Sequence, residues 1–277
     1  MAINPLQQYF RQPKIFVSLP SKGAYMPPNT VTGDITSVAV QGMTGMDEII
    51  LKTPDALFTG EATIKMIHSC CPTIKNAWDL SSIDTNVLFV AVRIATYGNK
   101  MTVHHQCTAC NELSDYELDL TTIIEHFNQC TYDDTLHYKD LTVKIKPISY
   151  RQQTDYNMQI YDLQKQVFQA NELADDVEKQ KTLNGLWETL AKLQLELNAN
   201  SVESIETPSA TVTERGYILE FLANADKDLI TAISNLVDKN RADWQVPTFP
   251  VACTNDACKT ETNLSVELDN SNFFVLA

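Results

Sequence analysis

The chain has 277 residues, 44% of them hydrophobic and 20% charged, which is enough apolar content for a folded core. Its net charge of −14 and pI of about 4.7 leave no surplus of Lys and Arg to neutralise phosphates, which argues against nucleic acid as the main partner. No run of about 18 apolar residues spans a bilayer, and "MAINPLQQYFRQPK" lacks a basic-then-apolar signal pattern, so the sequence predicts a cytoplasmic chain without a membrane span.

Residues 1–60 are rich in Pro, Gly and Thr. "PKIFVSLPSKGAYMPPN" reads as a short strand broken by turns, and "DITSVAVQGM" alternates like a second strand. "TGMDEIILKTPDALFTGEATIKMIHSCC" then takes helical spacing, with Thr53 or Asp55 as a cap and Gly60 as an interruption. Residues 61–71 predict a helix with Ile64 and Ile67 inward. "LSSIDTNVLFVAVRIATYG" predicts a buried helix capped by Ser82 or Asp84 and ended by Gly98.

From Met101 the period becomes two. "MTVHHQ" and "SDYELDL" read as strands flanking a cysteine turn, "TTIIEHF" as a short helix, and "LTVKIKPIS" as a strand ended by Pro147. Between 150 and 199 two apolar seams run with heptad steps. One is Tyr156, Ile160, Leu163, Val167, Ala170, Ala174 and Val177; the other is Leu183, Leu186, Leu190, Leu193 and Leu197. Their phase slips between Val177 and Leu183, which predicts a break, a stutter or a helical hairpin, with Asn171–Asp176 as the turn if the segment folds back. The seams pack within the chain or on a partner helix. "NSVESIETPSATVTE" reads as a turn-rich connector, followed by two amphipathic helices, the second capped by Asp226. The end, "NLSVELDNSNFFVLA", is strand-like with an aromatic tail.

Seven cysteines, an odd number, with no export signal argue against a disulfide framework. Four of them form two close pairs: Cys107 with Cys110, and Cys253 with Cys258. A tight turn can present two thiolates to one metal, and a second such turn completes a tetrahedron. Each pair follows extended chain and precedes an alternating segment, with Tyr116 and Leu118 echoed by Val266 and Leu268. The sequence therefore predicts one structural zinc held by Cys107, Cys110, Cys253 and Cys258. Loop-closure cost grows only logarithmically, so the long separation is tolerable. His104 and His105 face opposite sides of their strand and are read as strand residues. Cys70 and Cys71 are read as packed thiols.

The predicted fold is α+β. A split zinc-ribbon-like β platform (residues 101–149 with 246–277) carries a helical insertion (150–245), preceded by an N-terminal arm with short strands (1–60) and a helical segment (61–100). No G-x-S-x-G, Walker, G-x-G-x-x-G or H-E-x-x-H motif is present. His68 and Cys71 could mimic a dyad, but no third group orients them. The sequence predicts no enzyme.

Three stretches occur in an order that resembles the baseplate hub proteins of T4-type contractile-tailed bacteriophages. They are "FVSLPSKGAYMP" (Leu19, Pro20, Ser21, Gly23, Tyr25), "MTGMDEIILKTPDALFTGEA" (Met43, Thr44, Asp47, Glu48, Leu51, Pro54, Leu57, Gly60) and "IDTNVLFVAVRIATYG" (Asp84, Leu88, Arg93, Tyr97, Gly98) leading to "CTAC". The resemblance implies a non-catalytic scaffold. It would dock on hub, spike or tape-measure proteins, be built in the host cytoplasm and be kept in the virion. The alternatives are an assembly chaperone absent from the virion, a zinc-ribbon nucleic-acid binder, and a thiol enzyme using Cys71.

Overall fold

A computed structural model of the chain describes residues 5–53, 59–266, 268 and 273–274. The fold divides into two units, Met1–Cys130 with Gln245–Ala277, and Thr131–Trp244. Both mix helices with antiparallel strands.

In the first unit, β1 (Ile15–Val17) pairs antiparallel with β2 (Val38–Val40). α1 (Gly45–Leu51) begins at Thr44, whose hydroxyl accepts from the Asp47 amide while the Asp47 carboxylate accepts from the Thr44 amide. Thr44 thus caps α1; the turn expected to start at Thr53 or Asp55 lies, like Pro54 and Leu57, outside the described residues. α2 (Glu61–Cys70) follows Gly60, which takes φ +75 and buries Ile64 and Ile67 as expected. α3 (Ser82–Tyr97) is buried on nearly every face, which explains its almost uninterrupted apolar sequence. Its cap is Ser81, not Ser82 or Asp84. Ser81 is extended, and its hydroxyl accepts from the Asp84 amide. Gly98 ends the helix at φ +92, where a side chain would be strained.

Two buried carboxylates tie the N-terminal segment to these helices. Asp84, 0% exposed, accepts from the Ser21 amide at 2.9 Å and the Ser81 hydroxyl at 2.6 Å, fixing the turn after Leu19 to the start of α3. Asp47 accepts from the Thr44 hydroxyl at 2.8 Å and the Ser69 hydroxyl at 3.0 Å, with Arg11 3.4 Å away. Arg11 also donates to the Gly42 carbonyl at 2.7 Å and the Ser69 carbonyl at 2.6 Å. One guanidinium thereby joins the N-terminal arm to α1 and α2.

Arg93 on α3 is only 2% exposed, and its Nε and Nη1 have no hydrogen-bond partner among the described residues. Its guanidinium lies over the rings of Tyr97 and Phe273, 4.9 and 5.6 Å from their centroids, and burial lowers its pKa. Ring faces compensate only part of the cost of burying a charge. Arg93→Met is therefore expected to raise the unfolding free energy by about 1 kcal/mol or more, read by urea denaturation. A loss of stability instead would show that an anion holds this group.

The same unit carries two hairpins. β3 (Lys100–Gln106) pairs with β4 (Leu113–Asp119), and β9 (Phe249–Ala252) with β10 (Glu261–Leu264). Between β4 and the second unit lies α4 (Thr121–Gln129), which buries Ile123 and Phe127.

The second unit holds a four-stranded antiparallel sheet in the order β5-β6-β7-β8: Thr135–Tyr138, Leu141–Ile145, Val202–Glu206 and Thr211–Val212. Between β6 and β7 the chain makes α5 (Tyr150–Asn171) and α6 (Asp176–Ser201), with the turn at the expected place. Ser149 and Asp175 cap these helices through their side chains. α7 (Arg215–Asn224) and α8 (Lys227–Asp243) complete a core that includes Val143, Ile145, Ile205, Ile218, Leu222 and Ile233.

The expected boundaries shift here. Residues 131–149 join the helical unit rather than the cysteine hairpins, because β6 pairs with β7. The expected connector 200–214 forms β7 and β8 around a turn closed by Thr207, whose amide donates to the Ala210 carbonyl at 2.8 Å.

Candidate metal centre

Each hairpin of the first unit ends in a cysteine turn, and the two turns follow one plan. After β3 the Cys107 amide donates to the Glu112 carbonyl at 2.8 Å, and after β9 the Cys253 amide donates to the Thr260 carbonyl at 2.9 Å. The residue after the second cysteine has positive φ in both, Asn111 at 60° and Lys259 at 48°. That conformation reverses the chain so that amides point back at sulfur. The amides of Glu112, Asn255 and Thr260 reach the sulfurs of Cys110, Cys253 and Cys258, each two residues earlier, and those of Cys110 and Ala109 reach Cys107.

Equivalence of Glu112 with Thr260 sets the register of the repeat. Tyr116 then matches Leu264, and Leu118 matches Val266, two residues from the pairing expected of the sequence. β10 accordingly stops at Leu264. Of the strand-like end, residues 267, 269–272 and 275–277 lie outside the described residues.

The four sulfurs of Cys107, Cys110, Cys253 and Cys258 lie within 4.8 Å of one another. Cys107 Sγ is 3.9 Å from Cys258 Sγ, and Cys110 Sγ is 3.6 Å from Cys253 Sγ. A disulfide needs about 2.05 Å, so these are free thiols. Cys107 and Cys253 are buried, Cys258 is half-buried and Cys110 is exposed. The hairpins also meet through protein groups: the Ser114 and Thr254 hydroxyls are 2.5 Å apart, and the Tyr116 hydroxyl donates to the Ala252 carbonyl at 3.1 Å.

The surrounding groups shift the four thiols in different directions. The Cys110 and Ala109 amides lower the Cys107 thiol, and the Thr260 hydroxyl and amide bring Cys258 to about 7. The Glu112 amide favours the Cys110 thiolate, yet burial and the three neighbouring thiols push it up to about 12. The Asn255 amide likewise favours the Cys253 thiolate, but burial and Cys107 raise it. Four sulfurs this close cannot all carry charge unaided. A central cation would hold all four as thiolates, so the set could hold a metal ion.

The other sequence candidates stand apart from this cluster. His104 Nδ1 lies 2.6 Å from Asp115 on the exposed strand face, and His105 points to the opposite side. Cys70 and Cys71 are fully buried, and burial raises both thiols, Cys70 to about 12. His68 Nε2 accepts from the Ala77 amide at 3.1 Å, and burial lowers its pKa. This pair therefore has neither a ready thiolate nor a free base. Sequence reasoning passed over Thr260, Ser114 and Thr254. Their only signal is a hydroxyl one or a few residues from a cysteine of the set.

Among the described residues no helix is long and apolar enough to cross a membrane. Comparison with curated proteins and with solved structures returned no match. A family model described as T4 bacteriophage base plate protein matches residues 14–275, nearly the whole chain. The chain therefore belongs to the T4-type baseplate protein family.

Proposed function

We propose that this chain is a structural, non-catalytic component of the baseplate hub of a contractile phage tail. It docks there on hub, spike or tape-measure proteins and stays in the virion after assembly in the host cytoplasm. The family match over residues 14–275 carries this reading. The metal is zinc and its role is structural. A tetrahedron with sulfurs about 2.3 Å from its centre has edges of about 3.8 Å, close to the 3.6 and 3.9 Å separations of the opposed thiols. Thiolates are soft donors that suit zinc, and four of them leave no open position for substrate or water. The zinc joins two hairpins into a split ribbon, and the helical unit is inserted between them.

Quantitative mass spectrometry of purified virions tests the role. A fixed stoichiometry with other baseplate proteins is expected. Presence in infected-cell lysate but absence from finished particles would replace this reading with that of an assembly chaperone.

A further inference from the structure

We propose that the four-cysteine cluster is also an oxidation site, at which peroxide displaces the ion and leaves two disulfides, Cys110–Cys253 and Cys107–Cys258, that join the same hairpins. This deepens the zinc reading and rests on it only for the ion that is displaced.

The sulfurs of Cys110 and Cys253 face each other across the hairpins at 3.6 Å, and those of Cys107 and Cys258 at 3.9 Å, both in hydrogen-bonding geometry. The two pairs share no residue, so both bonds can form in one molecule. Each gap has to close by about 1.5 to 2 Å to reach the length of a disulfide, which small side-chain rotations supply.

Each pair also joins a shielded sulfur to one that solvent reaches. Cys110 is exposed and Cys253 buried; Cys258 is half-buried and Cys107 buried. A small oxidant in water therefore meets Cys110 first, while burial protects the thiol beside it. An oxidised sulfur with a reduced neighbour in reach condenses to a disulfide instead of climbing to sulfinic acid. The Ser114–Thr254 and Tyr116–Ala252 contacts hold the turns together while the sulfurs change partners. Cys70 and Cys71, both fully buried, are out of the oxidant's reach.

The chemistry balances with hydrogen peroxide as the oxidant. The Cys110 sulfur attacks one peroxide oxygen, the O–O bond breaks, one water leaves and Cys110 becomes a sulfenic acid. The Cys253 sulfur attacks that sulfenic sulfur, the S–S bond forms and a second water leaves. Cys258 and Cys107 repeat the sequence with a second peroxide. Four thiolates thereby lose four electrons, and two peroxides take them up with four protons from solvent to give four waters. The chain then has no thiolate left to offer the ion. Thiol-buffered surroundings reverse such bonds, and oxidising surroundings keep them. The same clasp is an ion in the first and a pair of disulfides in the second.

The test adds hydrogen peroxide in steps to the full zinc-loaded chain. Released zinc is read with a metal-binding dye, and the bonds by intact mass and peptide mapping. Two peroxides per chain should release the zinc and lower the mass by about 4 Da relative to the reduced, metal-free chain. The Cys110–Cys253 link should appear ahead of Cys107–Cys258. Dithiothreitol with added zinc should restore the starting form, and Cys130→Ser should behave like wild type. The oxidised, metal-free chain should melt roughly 10 °C above the reduced, metal-free chain, because the two bonds span 143 and 151 residues. A chain isolated without zinc that still forms both links supports this site and removes the metal alone. Links within one turn, Cys107–Cys110 or Cys253–Cys258, overturn the proposal, as does sulfinic acid in place of the bonds.

Discussion

Replacing Cys107 or Cys258 with serine is expected to lower the unfolding free energy by on the order of 5 kcal/mol, because a structural metal contributes its binding energy to folding. Each substitution leaves three thiolates around the ion and exposes it to water. Both hairpin ends then lose their common anchor, while the Ser114–Thr254 and Tyr116–Ala252 contacts still join them. Elemental analysis of the wild type should find one zinc per chain. A strong chelator should lower the melting temperature of the wild type and leave that of the serine variants where it was. Cys130→Ser, outside the cluster, should keep the chelator response. A wild type whose melting is indifferent to the chelator and that carries no metal would remove the zinc.

Asp84→Ala is expected to cost about 3 kcal/mol, since it leaves the buried Ser21 amide without its acceptor and the Ser81 hydroxyl without its partner. Asp84→Asn keeps an acceptor for Ser21 and separates charge from hydrogen bonding. Burial raises the Asp84 pKa above its ordinary 3.8, although the bonds from Ser21 and Ser81 oppose this. The folded state therefore holds the proton more tightly than the unfolded one. The stability this gives is complete below the unfolded value and is lost as pH rises through the raised folded value. The asparagine does not titrate, so its stability relative to wild type should improve from about pH 4 upward. Urea denaturation of both proteins across that range measures it. A difference that stays flat with pH would mean that Asp84 keeps its ordinary pKa in the fold.

Features written within a few residues of chain were legible before any coordinates. The unbroken apolar run of α3, the fold-back within Asn171–Asp176 and the two cysteine turns each follow from local spacing, whereas the phase slip between Val177 and Leu183 falls inside α6 and marks no break. The meeting of Cys107 and Cys110 with Cys253 and Cys258 was also legible, because the two turns repeat one pattern. Pairings between distant segments were not. Val202 to Glu206 looks like connector until β6 lies beside it, so the boundary at Thr131 could not be read. Arg11 gives no sign in sequence that it will meet Gly42, Asp47 and Ser69, since nothing local distinguishes it from a solvated arginine. The cap of α3 fell at Ser81 rather than Ser82 or Asp84, because three such residues crowd that helix start and only backbone geometry selects among them.

The two cysteine turns also order events during synthesis. Cys107 and Cys110 leave the ribosome early, and the whole helical unit follows before Cys253 and Cys258 emerge. Until then a nascent chain offers a metal only half of its ligands. If the cluster holds the proposed zinc, its tetrahedron closes only after translation has passed residue 258, and a product terminated earlier keeps the first pair of thiols without the second.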